Sequence, residues 1–183
     1  MLPNWYNEYK ELIDNSIEKY LDMYFSRWEL SDPLQKFKGI IYYWVKWWKR
    51  IRSILALEFF LLFSNKKIKD ISFWDDIISY CIAIELSHAY SLVHDDLPLM
   101  DNDELRRWEE TVWKKYWEVN AVLAWDLLNT MSLEILSNLD NNIDLKMLLS
   151  YFWRSIWIFW MLWGQVLDIY YEKKSKDLSL DNL

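Results

Sequence analysis

Glycine is almost missing from this chain, with two residues in 183 where about 7% is usual. Cysteine is nearly as scarce: a single Cys81 excludes an internal disulfide and any zinc site built from several thiolates. A reducing cytoplasm is the expected setting. Positive charge is not in excess, since the formal net charge is −7 and the basic residues are dispersed, so nucleic acid is not an expected partner. A secretory leader is not expected either, because "MLPNWYNEYKELID" is polar and acidic where a basic and then apolar run is required. The most apolar stretch, "FWRSIWIFWMLWGQVLDIY" (152–170), has Arg154 at one end and Gln165 and Asp168 at the other. That leaves fewer than the ~18 uninterrupted apolar residues of a membrane span, and a helix buried on most sides is expected instead.

What is abundant is tryptophan, with 14 residues, and amphipathic helical patterning. In "NWYNEYKELIDNSIEKYLDMYF" the residues Trp5, Tyr9, Leu12, Ile13, Ile17, Tyr20 and Tyr24 fall on one stripe at helical spacing. "LSDP" (30–33) punctuates it, with Ser31 or Asp32 as a cap and Pro33 at the first helical position. Residues 34–64 read as two helices meeting near 46–49, and 72–96 as one long helix. Helices at about 117–138 and 142–163 follow, joined by "DNN". No alternating strand pattern competes. The expected fold is all-α, in a single domain over 1–183.

The chemistry-bearing stretch begins on the helix that ends near Asp96. His88 and Asp95 are two turns apart and share a face. Asp95 and Asp101 are six apart and would not share a face on a straight helix, but Pro98 disfavours helix at Leu97 and bends the chain. The bend can turn both carboxylates toward one point, which suits Mg²⁺ and its preference for oxygen ligands. Arg106 and Arg107 offer forked donors for phosphate oxygens and, on a helix, would point about 100° apart toward different groups. Lys49 and Arg52, three apart, would be neighbours on a helix face and suit one anion. Each feature also has a plainer reading: a solvated acidic loop whose arginines pair with Asp103 and Glu104, and core packing for Tyr90. For Gln165 and Asp168 it is the polar end of a buried helix.

"HAYSLVHDDLPLMDNDELRR" (88–107) resembles the first aspartate-rich motif of the trans-isoprenyl diphosphate synthases. "KWWKRIRS" is similar to the Gly-Gly-Lys-Arg-x-Arg-Pro motif of that family, "EVNAVLAWDLL" to its Glu-x-x-Ala-x-Leu-Ala-Gly-Asp stretch, and "WMLWGQVLDI" to its Gly-Gly-Gln-x-x-Asp stretch. The four occur in the family's order between about residues 40 and 172. The resemblance implies an antiparallel helix bundle around a cavity, usually a homodimer, that condenses isopentenyl diphosphate with an allylic diphosphate. It implies that Asp95, Asp96 and Asp101 hold Mg²⁺ against the allylic diphosphate, which Arg106 also contacts. Lys49, Arg52, His88 and Arg107 would bind isopentenyl diphosphate. Gln165 and Asp168 would line the cavity, and Tyr90 would block elongation, favouring a C15 product.

Two departures follow. The family completes its metal site with a second aspartate-rich motif on a later helix, whereas residues 165–183 offer only the unpaired Asp168, Asp177 and Asp181. A truncated and nearly inactive chain is the expectation. A non-catalytic subunit of a heteromeric synthase and a class I terpene cyclase are the alternatives. The intact first motif argues against the subunit, and the second basic site against the cyclase. The other departure is that Trp47, Trp48, Trp108, Trp117, Trp125, Trp157, Trp160 and Trp163 all stand where the family motifs have glycine. Overpacking costs about 1–3 kcal/mol per site, against the ~5–15 kcal/mol that holds a domain together. Some bacteria read UGA as glycine and others as tryptophan, so decoding with the wrong table would produce this pattern. Trp113 fits a position where the family uses an aromatic residue.

Overall fold

The computed structural model describes residues 4–27, 29–46, 48–140, 144–155 and 161–174, apart from the side chains at 4, 161, 162 and 172–174. It forms two compact units, Met1–Leu139 and Asp140–Leu183. The first contains α1 (Asn4–Ser26), α2 (Asp32–Val45), α3 (Ile51–Ser64), α4 (Asp76–Asp95), α5 (Val112–Tyr116) and α6 (Glu118–Ser137). The second contains α7 (Leu145–Trp153) and α8 (Met161–Lys174). The all-α expectation holds with one addition, a two-stranded hairpin of β1 (Leu105–Arg106) and β2 (Glu109–Glu110). Such short strands leave too few residues for an alternating pattern to be read.

In the first unit α4 is the central helix, packed against α1, α2, α3 and most extensively α6. Its Ile78, Ile82, Leu86 and Val93 are sealed from solvent, as are Leu128, Met131 and Leu136 of α6. Ala83 and Ala89 on α4 and Ala121 and Ala124 on α6 are fully buried, and such short side chains allow close axes. Along α1 the buried stripe is Tyr6, Tyr9, Ile13, Ile17, Leu21 and Phe25. It is displaced by part of a turn from the stripe expected, because the core follows the i+4 steps from Ile17 to Leu21 and Phe25. Trp5 stays outside, edge-on to Tyr9.

Ser31 is the N-cap residue of α2, without a side-chain capping hydrogen bond, and Pro33 is the second helical residue rather than the first expected. The long helix begins at Asp76 rather than at residue 72, because Asp75 accepts hydrogen bonds from the Ser72 N–H and hydroxyl and so forms a turn ahead of it. The single helix expected over 142–163 is described as α7 and as the start of α8, with residues 156–160 outside the described set. Nor is α8 buried on most sides: every described side chain from Trp163 to Tyr171 is exposed or half-buried. Apolar composition specifies burial only where a second layer covers the helix. Among the described residues, no helix is long and apolar enough to cross a membrane.

Trp108 and Trp117 are 94% and 80% exposed, so the overpacking expected of them does not occur. Their cost lies in the backbone. Arg107 and Trp108, at φ 52° and 73°, form the two-residue β1–β2 turn, whose positive-φ pair is where hairpins favour Asn-Gly. Trp117, between α5 and α6, holds φ 78° and ψ 151°, a region open essentially to glycine alone. Trp117→Gly should therefore raise the unfolding free energy in urea by about 1 kcal/mol or more, net of the added chain entropy of glycine. Trp117→Ala should bring no comparable gain, because alanine keeps the Cβ that creates the strain.

Candidate active site

The acid-rich stretch forms a tight bend at the C-terminus of α4. The Asp96 N–H still bonds the Leu92 carbonyl at 3.1 Å, and then Leu97–Asn102 turns around Pro98. The N–H groups of Met100 and Asn102 both donate to the Leu97 carbonyl, at 2.8 and 3.1 Å. The Asp101 N–H donates to the Asp95 carbonyl at 2.9 Å, so two residues six apart become backbone neighbours. The bend expected from Pro98 is present.

The three carboxylates do not converge, however, and no group of three potential ligands stands close enough to hold a metal among the described residues. Asp96 is turned inward. It is 1% exposed, and its Oδ1 accepts from Arg106 Nε at 2.6 Å. Its Oδ2 is buried and has no hydrogen-bond partner among the described residues. Burial pushes the Asp96 carboxyl up to about 7, with Arg106 pulling it down. Asp101 is exposed, and Asp95 is half-buried with His94 Nδ1 3.6 Å from its Oδ1. The set fits Mg²⁺ chemically: two reachable carboxylates, a further buried oxygen with acceptor capacity, and only oxygen donors.

Arg106 and Arg107 do address different groups, but through the hairpin rather than a helix. Arg106, on β1, also reaches Asp103 Oδ2 at 3.4 Å. Arg107, in the turn, lies over the Trp48 indole at 4.8 Å. Thr111 and Trp113 anchor the hairpin base, each with a side-chain donor 2.8 Å from the Asp103 carbonyl. Lys114, not Arg-Arg, pairs with Glu104. The plainer reading of the arginines therefore holds only for Asp103.

Trp48 sits at the centre of the second basic group. It is 4% exposed, with its Nε1 donating to the Trp44 carbonyl at 2.8 Å and its ring 5.3 Å from that of His88. Arg52 Nη1 stands 3.2 Å from His88 Nε2. Burial first, and then the charges of Arg52 and Arg107, push His88 down to about 4, so it is neutral near pH 7 and its Nε2 can accept from Arg52. Lys49 is exposed but precedes α3 instead of sharing a helix face with Arg52, because the chain turns left-handed at Arg50. Tyr90 is buried within α4. Trp125 packs edge-on against His94, ring centres 4.6 Å apart, one residue from Asp95. Gln165 and Asp168 lie on α8, in the second unit. Of the eight unexpected indoles, Trp47, Trp157 and Trp160 lie outside the described residues, and Trp163 is exposed.

The chain that carries these residues has counterparts among known proteins. The polyprenyl synthetase family model matches residues 35–183. The chain belongs to the polyprenyl synthetase family. It is 32% identical over 135 residues to the farnesyl diphosphate synthase of Geobacillus stearothermophilus, covering 74% of this chain and 41% of that relative. It is 45% identical over 111 residues to the farnesyl diphosphate synthase of Buchnera aphidicola, covering 57% and 38%. Among solved structures, the geranyltransferase of Helicobacter pylori complexed with magnesium and isoprenyl diphosphate superposes with a TM-score of 0.76 at 31% identity. That match covers 99% of this chain and 58% of the other. The Legionella pneumophila geranyltransferase gives 0.79 at 27% identity, covering 97% and 59%. The chain thus spans about two fifths of the curated relatives' length. The alternative of a cyclase outside this family is set aside by the match.

The ion group of Asp14, Arg50 and Glu85, with Arg50 and Glu85 buried and Asp14 half-buried, was missed in the sequence, although Arg50 lies inside the "KRIR" motif. Its signal was Glu85, a charge sitting in the otherwise apolar pattern of α4.

The folded His88 value lies below its unfolded value of about 6.5. Its contribution to stability is therefore complete above that pH and lost as pH falls toward about 4. NMR titration of the His88 ring should give a midpoint well below 6.5, and adding inorganic pyrophosphate should raise that midpoint by screening the neighbouring guanidinium groups.

Proposed function

We propose that this chain forms part of a prenyltransferase that joins isopentenyl diphosphate to an allylic diphosphate, with a C15 product. The observation that carries the reading is the division of the basic residues. Arg106 is committed to the acidic bend through Asp96, while Arg52, His88 and Arg107 gather around residue 48. One anion at each group is what a two-diphosphate condensation requires, whereas a single-diphosphate reaction needs only the first. The relatives' names, farnesyl diphosphate synthase and geranyltransferase, support the same chemistry.

In this reading Asp95 and Asp101, with Asp96 Oδ2 as a further acceptor, would hold Mg²⁺, which when bound neutralises charge on the departing diphosphate. Arg106 stabilises the same leaving group as the allylic C–O bond breaks with its electron pair going to diphosphate. Lys49, Arg52 and Arg107 hold isopentenyl diphosphate so that its double bond attacks the allylic carbon, and a proton is then lost from the isopentenyl unit. Neutral His88 contributes a hydrogen bond without repelling the neighbouring cations. The helices exclude water from the cationic carbon. Tyr90 on α4 limits chain length, Gln165 and Asp168 line the cavity, and the enzyme acts as a cytoplasmic homodimer, as the resemblance implies. Residues 165–183 lack paired acids, so this chain alone should turn over far below an enzyme's normal rate. Incubating it with isopentenyl and geranyl diphosphates and Mg²⁺ should give only traces of C15 diphosphate. Prenyl transfer at an ordinary enzymatic rate would sink the inactivity claim, and a C20 or longer product would sink the role of Tyr90.

We propose further that the functional protein carries glycine at the eight positions, through UGA decoding. The positive φ at Trp108 and Trp117 and the placement of Trp48 between His88 and Arg107 support this. UGG codons at these positions would refute it. With the indole removed, the Trp48→Gly variant should bind inorganic pyrophosphate about tenfold more tightly in calorimetry, since His88 and Arg107 are freed and backbone can approach the anion.

A further inference from the structure

The connection between α2 and α3 is held by a residue with no assigned part in binding. Arg50 is 3% exposed and adopts φ 55° and ψ 21°, the left-handed region that side-chain-bearing residues avoid. Three of its donors are engaged. Nε bonds Asp14 Oδ1 on α1 at 2.7 Å, Nη1 lies 3.3 Å from Glu85 Oε2 on α4, and Nη2 donates to the Val45 carbonyl at the end of α2. Glu85 is itself buried, and its Oε1 accepts from the Ser53 hydroxyl at 2.8 Å and from the Ser53 N–H at 3.4 Å. The connector is gripped once more where Tyr6 of α1 donates its hydroxyl to the Lys49 carbonyl at 2.7 Å.

A buried ion group of this kind is weak evidence for stability, because desolvation offsets much of the attraction. What it does is specify one conformation. A left-handed Arg50 reverses the chain so that its own side chain points into the core. Its neighbours then take the opposite course: Lys49 is exposed, and Arg52, on the first turn of α3, comes to His88. Without the two carboxylates the guanidinium would have no reason to be inside, and the turn that separates Lys49 from α3 would relax.

We infer that Arg50, clamped by Asp14 and Glu85, is a positioning residue that presents Lys49 and Arg52 to a diphosphate. The inference rests on the proposed diphosphate site at Lys49, Arg52, His88 and Arg107. The test is calorimetric binding of inorganic pyrophosphate to the 183-residue chain with EDTA present, which silences the acidic bend. Helical circular dichroism and the NMR signals of the His88 ring are recorded on the same samples. The native sequence should bind, and Arg52→Ala should weaken it. Arg50→Met should weaken binding about tenfold or more and shift the His88 ring signals, while Arg50→Lys recovers part of both. A folded Arg50→Met chain with native affinity and unmoved His88 signals overturns the positioning role while leaving the diphosphate site standing. Should Arg50→Met fail to fold, Glu85→Gln, which keeps shape and one hydrogen bond, decides on the same two readouts. If the native sequence does not bind, or Arg52→Ala binds as tightly, the diphosphate site and the positioning role fall together.

Discussion

A carboxylate shut away from water must be given a cation, hydrogen bonds or a proton, and the arrangement around Asp96 follows from that requirement. The end of α4 carries Asp96 into the interior, and Arg106 is the group that answers it. Because Arg106 lies on β1, the pair ties the helix end to the hairpin. The hairpin's two-residue turn then throws Arg107 to the other side, over residue 48. One buried contact thus sorts two adjacent, identical side chains into different sites. Asp96 is only half satisfied among the described residues: its Oδ2 has no hydrogen bond, and burial pushes the carboxyl up to about 7.

Most of the fold was legible because helical periodicity and punctuation are local signals. Ser31, Pro33 and the break near residues 46–50 mark helix ends in the sequence and in the structure alike. The bend at Pro98 was also legible, since proline acts on its immediate neighbours. What could not be read was which way a polar side chain turns once the chain has bent. Asp96 and Arg50 both sit in charged stretches that look solvated, yet each points inward because its partner lies on another element. The hairpin escaped notice for a related reason: two-residue strands carry no period. The exposure of α8 shows the converse limit, since apolar residues state a preference for burial and do not supply the surface that satisfies it.

Tryptophan at glycine positions acts in three different ways. At 108 and 117 the ring is in solvent and the strain is in φ. At 48 the indole is built into the core, with its N–H bonded and His88 and Arg107 against it. At 125 it closes on His94 beside the first carboxylate. A uniform overpacking argument therefore describes none of them well.

The two proposed sites share one rigid element. Glu85, His88, Tyr90, Asp95 and Asp96 all belong to α4 or its cap, and from His88 to Asp95 the helix climbs about 10 Å. The spacing between His88 and Asp95 is thus a covalent ruler, graduated in peptide units. One residue added between its marks would swing His88 roughly 100° around the axis from the acids. This stretch can change in composition but not in length.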